Sequence, residues 1–291
     1  MDAWLRPTSL ADALAALAAA PRVILAGGTD LYPSHGTSSL PGSILDISAL
    51  PGLRRLETHA DHWRIPCLAT WSDVIGAELP ASFDGLRAAA RQIGGVQVQN
   101  AATVIGNVCN ASAAADGIPN LLALDAAIEL ASLAGTRHLA LADFVLGNRR
   151  TARRPDELAV ALRIPRPAGP ARGVFEKLGA RRYLVISITM VAAVAEYDAA
   201  GRVRRARIAV GACGPRAVRL PGLEAALEGR QPEADLVTPH LVTPHLVTGA
   251  HLAPLAPIDD VRASAEYRLR ATAELLRRAL DALGTPRARA A

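Results

Sequence analysis

The sequence contains few aromatic residues and almost no lysine. Aromatic side chains make up 3% of the 291 residues, and Lys177 is the only lysine, so arginine carries nearly all of the positive charge behind the net +5. The chain has no arginine-rich arm, and its basic residues are not interleaved with aromatic ones, which argues against a nucleic-acid groove. The scattered arginines indicate a solvated surface instead.

Cysteines and long apolar runs are also scarce. Cys67, Cys109 and Cys213 lie far apart and form no CxxC pair, which argues against a disulfide framework, a zinc site or an iron–sulfur cluster in this chain. No apolar run approaches the ~20 residues that a membrane span needs, and the N-terminus has no signal-peptide core. We therefore expect a cytoplasmic protein.

The common catalytic motifs are missing. The sequence has no GxGxxG, no GxxxxGK[ST], no GxSxG and no HExxH. These absences argue against a classical dinucleotide fold, a P-loop, a serine nucleophile and a catalytic metal. We therefore predict no catalytic residue and no metal ligand in this chain. Its length of 291 residues suggests two or three packed units.

The N-terminal residues predict a small β-α-β-type unit. A helix is expected over 7–21, with Thr8 or Ser9 as its cap and Pro21 as its stop. Short apolar runs at 22–26 and 43–48 predict two strands. A glycine pair follows the first of these strands directly.

The C-terminal residues predict strands followed by helices. Residues 166–172 are rich in proline, glycine and arginine and are the best linker candidate. Long extended segments are expected over 174–198 and 202–213, and a strongly amphipathic helix over 259–283. This order indicates an α+β layer.

One tandem repeat, LVTPH, fills residues 236–249 and places His240 and His245 five residues apart, with His251 beyond. A metal site is one interpretation. A short duplication in an exposed connection, where insertions are tolerated, explains it equally simply and is the interpretation we favour.

Two loops of small residues are the candidate functional features. The first is Ala26, Gly27, Gly28, Thr29 and Asp30, and the second is Thr103, Val104, Ile105, Gly106 and Asn107, followed by Asn110, Ser112 and Asp116. Glycine allows backbone N–H groups to approach an anion and form a nest. Either loop alone is more often a plain turn, whereas the two together would suit a diphosphate. The second loop lies in 95–126, which shows little helical period before Asp116 and which we expect to be a long functional loop.

Four motifs resemble one family throughout the chain. AGGTDLYP at 26–33 and NAATVIGNVCNASAAADGIPNLLALDA at 100–126 resemble the two flavin loops of the FAD-binding medium subunit of molybdenum hydroxylases, which include xanthine dehydrogenase and carbon monoxide dehydrogenase. KLGARRYLVISITMVAA at 177–193 resembles the start of that family's C-terminal domain. DDVRASAEYR at 259–268 resembles the start of its last helix.

The resemblance implies an α+β fold with two parts. A PCMH-type FAD-binding domain would span 1–170, with subdomains of about 1–52 and 53–170, and an α+β domain of the CO dehydrogenase flavoprotein type would span 171–291. FAD would lie between the two N-terminal subdomains.

The resemblance also implies which residues hold the cofactor. The diphosphate contacts, mostly through backbone N–H groups, would be Ala26, Gly27, Gly28, Thr29, Asp30, Thr103, Val104, Ile105, Gly106 and Asn107. Leu31, Asn110 and Ser112 would be further cofactor-binding residues. Asp116 would accept hydrogen bonds from cofactor hydroxyls, and Leu158 and Lys177 would lie near the flavin ring. A surface ion pair with Glu176 or another acid is the alternative for Lys177. We expect Asp30 to cap the turn rather than to face phosphate.

Two positions depart from the family pattern. Ile105 stands where the first glycine of the second motif is usual, and Ala113 stands in place of a proline. A β-branched residue does not tolerate positive φ, so we expect Ile105 to have β-region φ and Gly106 to make the close approach.

The function implied by the resemblance is electron transfer through FAD. A large molybdopterin subunit and a small subunit with two [2Fe–2S] clusters would complete a heterotrimer, which could dimerise, and this chain would pass electrons to an external acceptor. Molybdopterin and the clusters are expected only in the partners. The alternatives are a self-sufficient flavin reductase of the UDP-N-acetylenolpyruvoylglucosamine reductase type and a FAD-free scaffold subunit.

Overall fold

The computed structural model describes residues 4–36, 38, 40, 42–230 and 246–284. The α-helices are α1 Leu10–Ala19, α2 Leu31–His35, α3 Trp71–Gly76, α4 Asp84–Ala90, α5 Val96–Ala101, α6 Val104–Asn110, α7 Gly117–Ala123, α8 Leu141–Phe144, α9 Pro221–Leu227, α10 Gly249–Leu252 and α11 Ala265–Gly284. The strands are β1 Trp4–Leu5, β2 Val23–Leu25, β3 Ile44–Asp46, β4 Glu57–Thr58, β5 His62–Pro66, β6 Ala127–Ser132, β7 Gly135–Ala140, β8 Val145–Gly147, β9 Arg150–Thr151, β10 Leu158–Pro165, β11 Ala171–Leu178, β12 Thr189–Tyr197, β13 Val203–Gly211 and β14 Val218–Arg219.

The chain forms two compact units, and each contains more than one segment of sequence. The first contains the described residues up to Ala77 together with Ile93–Ser112 and Asp125–Pro165, and the second contains Glu78–Gln92, Ala113–Leu124 and the described residues from Arg166 onward. The domain division near residue 170 stays a prediction.

The first unit contains two main sheets. Strands β1, β3 and β2 form a parallel sheet in that order, and β4, β5, β10, β6 and β7 form an antiparallel one. The Ser9 side chain accepts a hydrogen bond from the Asp12 N–H and caps α1, as predicted. The expected strand at 22–26 is β2, which covers Val23–Leu25 and ends two residues before Gly27.

The second unit is one antiparallel sheet covered by helices. Its strand order is β11, β12, β13 and β14. The buried core joins residues such as Val191 and Ile208 of the sheet to Leu223 of α9 and to Leu276 and Leu280 of α11. Helix α11 matches the predicted amphipathic helix, although it begins six residues later than expected.

Two segment predictions were wrong. Residues 95–126 contain three short helices, α5, α6 and α7, rather than a long loop. Helices of six or seven residues complete fewer than two turns, so a period cannot be recognised in the sequence. The extended segment over 174–198 is two strands, because β11 ends at Leu178 and β12 begins at Thr189. Between them Leu184 is exposed and has a left-handed φ of 51°.

In the part of the chain that the structure describes, no helix is both long enough and apolar enough to cross a bilayer.

Candidate cofactor-binding site

The two predicted loops lie side by side in the first unit, at a cleft of about 580 Å³. A volume of this size is typical of small-molecule sites. The predicted site residues that line the cleft are Ala26, Gly27, Gly28, Thr29, Asp30, Leu31, Thr103, Ile105, Gly106, Asn107, Asn110 and Leu158.

Glycines allow the first loop to adopt its shape. Gly28 has a left-handed φ of 69°, a conformation that L side chains rarely adopt. Gly27 packs directly against the backbone that leads into the second loop. Only glycine fits there, because a Cβ at this position would lie 1.9 Å from the Ala101 carbonyl oxygen. The two loops therefore approach each other backbone to backbone, although about 75 residues separate them in sequence.

The second loop is the beginning of α6. The Thr103 Oγ1 accepts a hydrogen bond from the Gly106 N–H at 3.0 Å and so caps the helix. The Val104 N–H donates to the Ala69 carbonyl at 2.9 Å, and the Val104 side chain is fully buried. Val104 thus packs in the core, whereas the other four residues of this loop, Thr103, Ile105, Gly106 and Asn107, line the cleft.

Ile105 does not have the β-region backbone that we expected. It lies in the first turn of α6 with right-handed helical geometry and is not among the positive-φ residues. Its side chain is buried, and it contributes apolar surface to the cleft lining. A β-branched residue fits this backbone without strain, since helical φ is open to all L residues.

The cleft lining is positively charged. Three arginines line it, namely Arg22, Arg149 and Arg153, whereas Asp30 is the acidic side chain among the described lining residues. Sequence reasoning did not assign these arginines to the site. Arg149 and Arg153 begin the pairs Arg149-Arg150 and Arg153-Arg154, but pairs of this kind occur elsewhere in the chain.

Asp30 does not cap the turn as we expected. It precedes α2 with αR backbone angles, and its side chain makes no capping hydrogen bond. Its carboxylate instead accepts from the Arg149 guanidinium at 3.0 Å.

Two buried polar atoms in residues lining the cleft have no hydrogen-bond partner within the described structure. They are the Asn107 Oδ1, an acceptor, and the Trp71 Nε1, a donor. Buried polar groups are nearly always paired. Together with the glycine cradle and the basic lining, these atoms fit an anionic ligand that also carries hydroxyl and carbonyl groups. The residues present therefore fit FAD.

The two cysteines that line the cleft have raised pKa values. Burial raises the pKa of Cys67 to about 12 and the pKa of Cys109 to about 11. Both thiols are therefore protonated near neutral pH, and the thiolate is the form that acts as a nucleophile.

Asp116 and Lys177 form a buried ion pair in the second unit. The Lys177 Nζ lies 2.5 Å from the Asp116 Oδ2, and the Ser187 hydroxyl donates to the Asp116 Oδ1 at 2.6 Å. Burial raises the pKa of the Asp116 carboxyl, while Lys177 and Ser187 oppose that rise. The ion pair that Lys177 makes with Asp116 is therefore buried and is not the surface pair of the alternative interpretation. The cofactor contacts assigned to these two residues, and to Ser112 after α6, stay predictions.

The histidine repeat falls mostly outside the described residues, which include neither His240 nor His245. The His251 Nδ1 lies 3.2 Å from the Thr248 N–H at the start of α10. No group of three or more potential metal ligands occurs among the residues that are described.

Comparison with known proteins identifies two family domains. Residues 1–167 match the FAD binding domain in molybdopterin dehydrogenase, and residues 175–283 match the CO dehydrogenase flavoprotein C-terminal domain. The chain therefore belongs to the family of FAD-binding flavoprotein subunits of molybdopterin dehydrogenases. The resemblance and the fold class predicted from the four motifs are confirmed, and FAD is the cofactor of this family.

Individual relatives align along most of the chain. The nicotine 6-hydroxylase medium subunit of Paenarthrobacter nicotinovorans is 31% identical over 264 residues, covering 90% of this chain and 89% of its own. The xanthine dehydrogenase FAD-binding subunit of Escherichia coli O157:H7 is 31% identical over 269 residues, with coverages of 91% and 89%. A chain in the crystal structure of Cu,Mo-CO dehydrogenase superposes with a TM-score of 0.87 at 28% identity, covering 97% of this chain and 96% of that one.

Proposed function

We propose that this chain is the electron-transfer subunit of a molybdenum hydroxylase complex. It holds FAD, receives electrons from [2Fe–2S] clusters of a small partner subunit and delivers them to an external acceptor. A large molybdopterin-binding subunit oxidises the substrate. The observation that carries the proposal is the cleft of the first unit. Two loops that are distant in sequence meet there, and three arginines line it.

The chain's own residues bind and orient the cofactor. Gly27 and Gly28 line the cleft, where their backbone N–H groups can serve as donors, and Thr29 adds a hydroxyl donor. Asn107 offers an unpaired acceptor at the same cleft. When bound, FAD supplies the exchange of electrons, and the protein contributes binding and electrostatic tuning.

The described residues that line the cleft support electron transfer rather than hydroxylation by this chain. The cleft cysteines are protonated thiols, since their pKa values are about 12 and about 11. The described lining offers one carboxylate, Asp30, and it is already paired with Arg149.

The name "medium subunit" of the nicotine 6-hydroxylase relative supports a multi-subunit complex. The match of residues 175–283 to a CO dehydrogenase flavoprotein domain favours this assembly over a self-sufficient reductase.

Purification of the protein from its native cells tests the proposal. We expect one FAD per chain in the visible spectrum, together with co-purifying molybdenum and iron–sulfur chains, and reduction of the flavin when the substrate of the complex is added. A yellow protein that turns over alone would indicate the reductase. A colourless chain in an intact complex would indicate the scaffold, and either result contradicts the proposal.

A further inference from the structure

Arg149 connects the two loops of the cleft. It lies between β8 and β9, and its Nη1 donates to the Asp30 Oδ2 at 3.0 Å and to the Asn110 Oδ1 at 2.7 Å. Asp30 belongs to the first loop, and Asn110 is the last residue of the helix that begins with the second loop. One guanidinium thus contacts segments that lie 119 and 39 residues away in sequence.

The backbone holds Arg149 in an unusual conformation. Its φ is 55°, which is uncommon for a residue other than glycine. Its N–H donates to the carbonyl of Ala111 at 2.8 Å, and Ala111 itself ends α6 with a left-handed φ of 48°. The position of the guanidinium is therefore fixed from the end of the same helix that supports the second loop.

The ion pair between Arg149 and Asp30 is too exposed to add much to the stability of the fold, so stability does not explain why Arg149 is held at this position. The two side chains are 56% and 49% exposed, and exposed pairs contribute about 0–1 kcal/mol because water and salt screen them. A guanidinium is a planar fork of donors that matches the oxygens of phosphate. Because Arg149 also lines the cleft, its charge acts on any anion bound there.

The other two cleft arginines contact backbone carbonyl groups. The Arg22 Nε donates to the Ala16 carbonyl, and the Arg153 Nη1 donates to the carbonyls of Glu157 and Arg154. These contacts fix their positions but do not join the two loops. Arg149 differs because its guanidinium contacts both loop-bearing segments.

We infer that Arg149 is a further diphosphate-binding residue, which Asp30 and Asn110 hold in position at the cleft. The inference rests on the proposed function, because the diphosphate is that of FAD. Arg149 would attract the diphosphate through its charge, and the glycines of both loops would give the cleft its shape.

The test measures FAD binding to the deflavinated full-length chain by quenching of flavin fluorescence, at low salt and at about 1 M salt. We expect Arg149→Met to weaken binding about 10- to 100-fold at low salt, the range for loss of a charge-assisted hydrogen bond. The loss should shrink at high salt, where the Debye length is about 3 Å. ADP, which carries the diphosphate without the flavin ring, should lose affinity as a competitor by a similar factor.

Two further variants make the test specific. Arg150→Met removes the same charge from the neighbouring exposed residue, which does not line the cleft, and should leave FAD binding close to wild type. Arg149→Lys keeps the charge without the fork and should bind with intermediate affinity. Circular dichroism of each variant checks that the chain folds.

The outcomes separate the inference from the proposed function. If the wild-type chain takes up no FAD, the proposed function fails. If it binds FAD but Arg149→Met behaves like Arg150→Met, the inference about Arg149 fails. An equal loss at both salt concentrations, with unchanged ADP affinity, would assign Arg149 a structural role and also overturn the inference.

Discussion

Replacing Gly27 with alanine should separate the two loops of the cleft. A Cβ at this position would lie 1.9 Å from the Ala101 carbonyl oxygen and 2.7 Å from its carbonyl carbon. Real Cβ atoms essentially never approach another heavy atom within 3.0 Å. The obstacle is backbone, which cannot rotate away as a side chain can, so the loops must move apart by roughly 1 Å to restore ordinary contact distances.

A movement of this size matters more for binding than for folding. Overpacking of this kind costs about 1–3 kcal/mol of stability, which corresponds to a fall in Tm of roughly 2–4 °C per kcal/mol for a chain of this size class. Hydrogen bonds from the loops to a ligand would lengthen by a similar distance, and a bond of about 2.9 Å that becomes roughly 3.9 Å is no longer a hydrogen bond. We therefore expect FAD affinity to fall about 100-fold or more.

Two other glycines provide graded controls. Gly28→Ala also introduces strain, because φ is 69°, but the nearest obstacle there is the ring of Tyr32, which is a half-exposed side chain and can turn aside. Its effect on FAD affinity should be smaller than that of Gly27→Ala. Gly76→Ala adds the same methyl group at the end of α3, where no other atom lies within 4 Å of the added Cβ. This substitution should change neither the stability of the chain nor its affinity for FAD.

The assay is FAD content after purification, followed by titration of the deflavinated chain with FAD and a thermal melt. The reasoning is refuted if Gly27→Ala binds FAD as tightly as Gly76→Ala does. A loss of stability without a loss of affinity would show that the contact between Gly27 and Ala101 supports the fold but not the cleft.

Three further substitutions have definite expected results. Ile105→Gly should lower the free energy of unfolding by about 3–5 kcal/mol in a denaturant titration, since it removes a buried side chain and puts glycine into a helix; a gain in FAD affinity would contradict the role we assign to this side chain. Lys177→Met should cost about 3–5 kcal/mol because Asp116 stays buried without its cation, and adding Asp116→Asn should recover part of the loss; no recovery would argue against the ion pair. The pKa of Asp260 is lowered to about 2, and the hydrogen bond from the Arg262 N–H is the largest cause. The ionised carboxylate therefore contributes stability that is present above about pH 4 and is lost as the pH falls through about 2. Asp260→Asn should therefore cost about 1 kcal/mol at pH 7, after allowance for solvent screening, and less at pH 2, where the carboxyl is about half protonated. An equal cost at both pH values would show that the charge of Asp260 is not the source of this stability.

The parts of the fold that the sequence predicts well are those with local causes. The cap at Ser9 is predictable because a hydroxyl residue directly precedes an apolar helical segment. Helix α11 is predictable because apolar residues recur at helical spacing along its 20 residues. The cradle at Gly27 and Gly28 was predicted from small residues after a buried strand, and both glycines line the cleft. Each of these signals lies within one segment of the chain.

The parts that sequence reasoning missed depend on distant partners or on very short elements. α7 is buried on all sides, so it has no polar face to produce a period. Asp30 precedes a helix, the position of a cap, yet it pairs with a residue 119 positions away. No local pattern distinguishes Arg149 from the exposed Arg150 beside it. Only the fold, which brings the β8–β9 turn to the end of α6, separates their roles.

Ile105 shows how a departure from a family motif can be judged physically. A glycine in a phosphate loop can serve for positive φ or for close backbone approach. At position 105 the backbone is right-handed helix, so positive φ is not required there. The missing side chains of Gly27 and Gly106 make room for contacts within the protein, since a Cβ would lie 1.9 Å from the Ala101 carbonyl oxygen at Gly27 and 2.7 Å from the Thr103 Oγ1 at Gly106. Isoleucine at position 105 therefore raises no backbone objection to FAD binding, and this departure from the family motif does not favour the scaffold alternative.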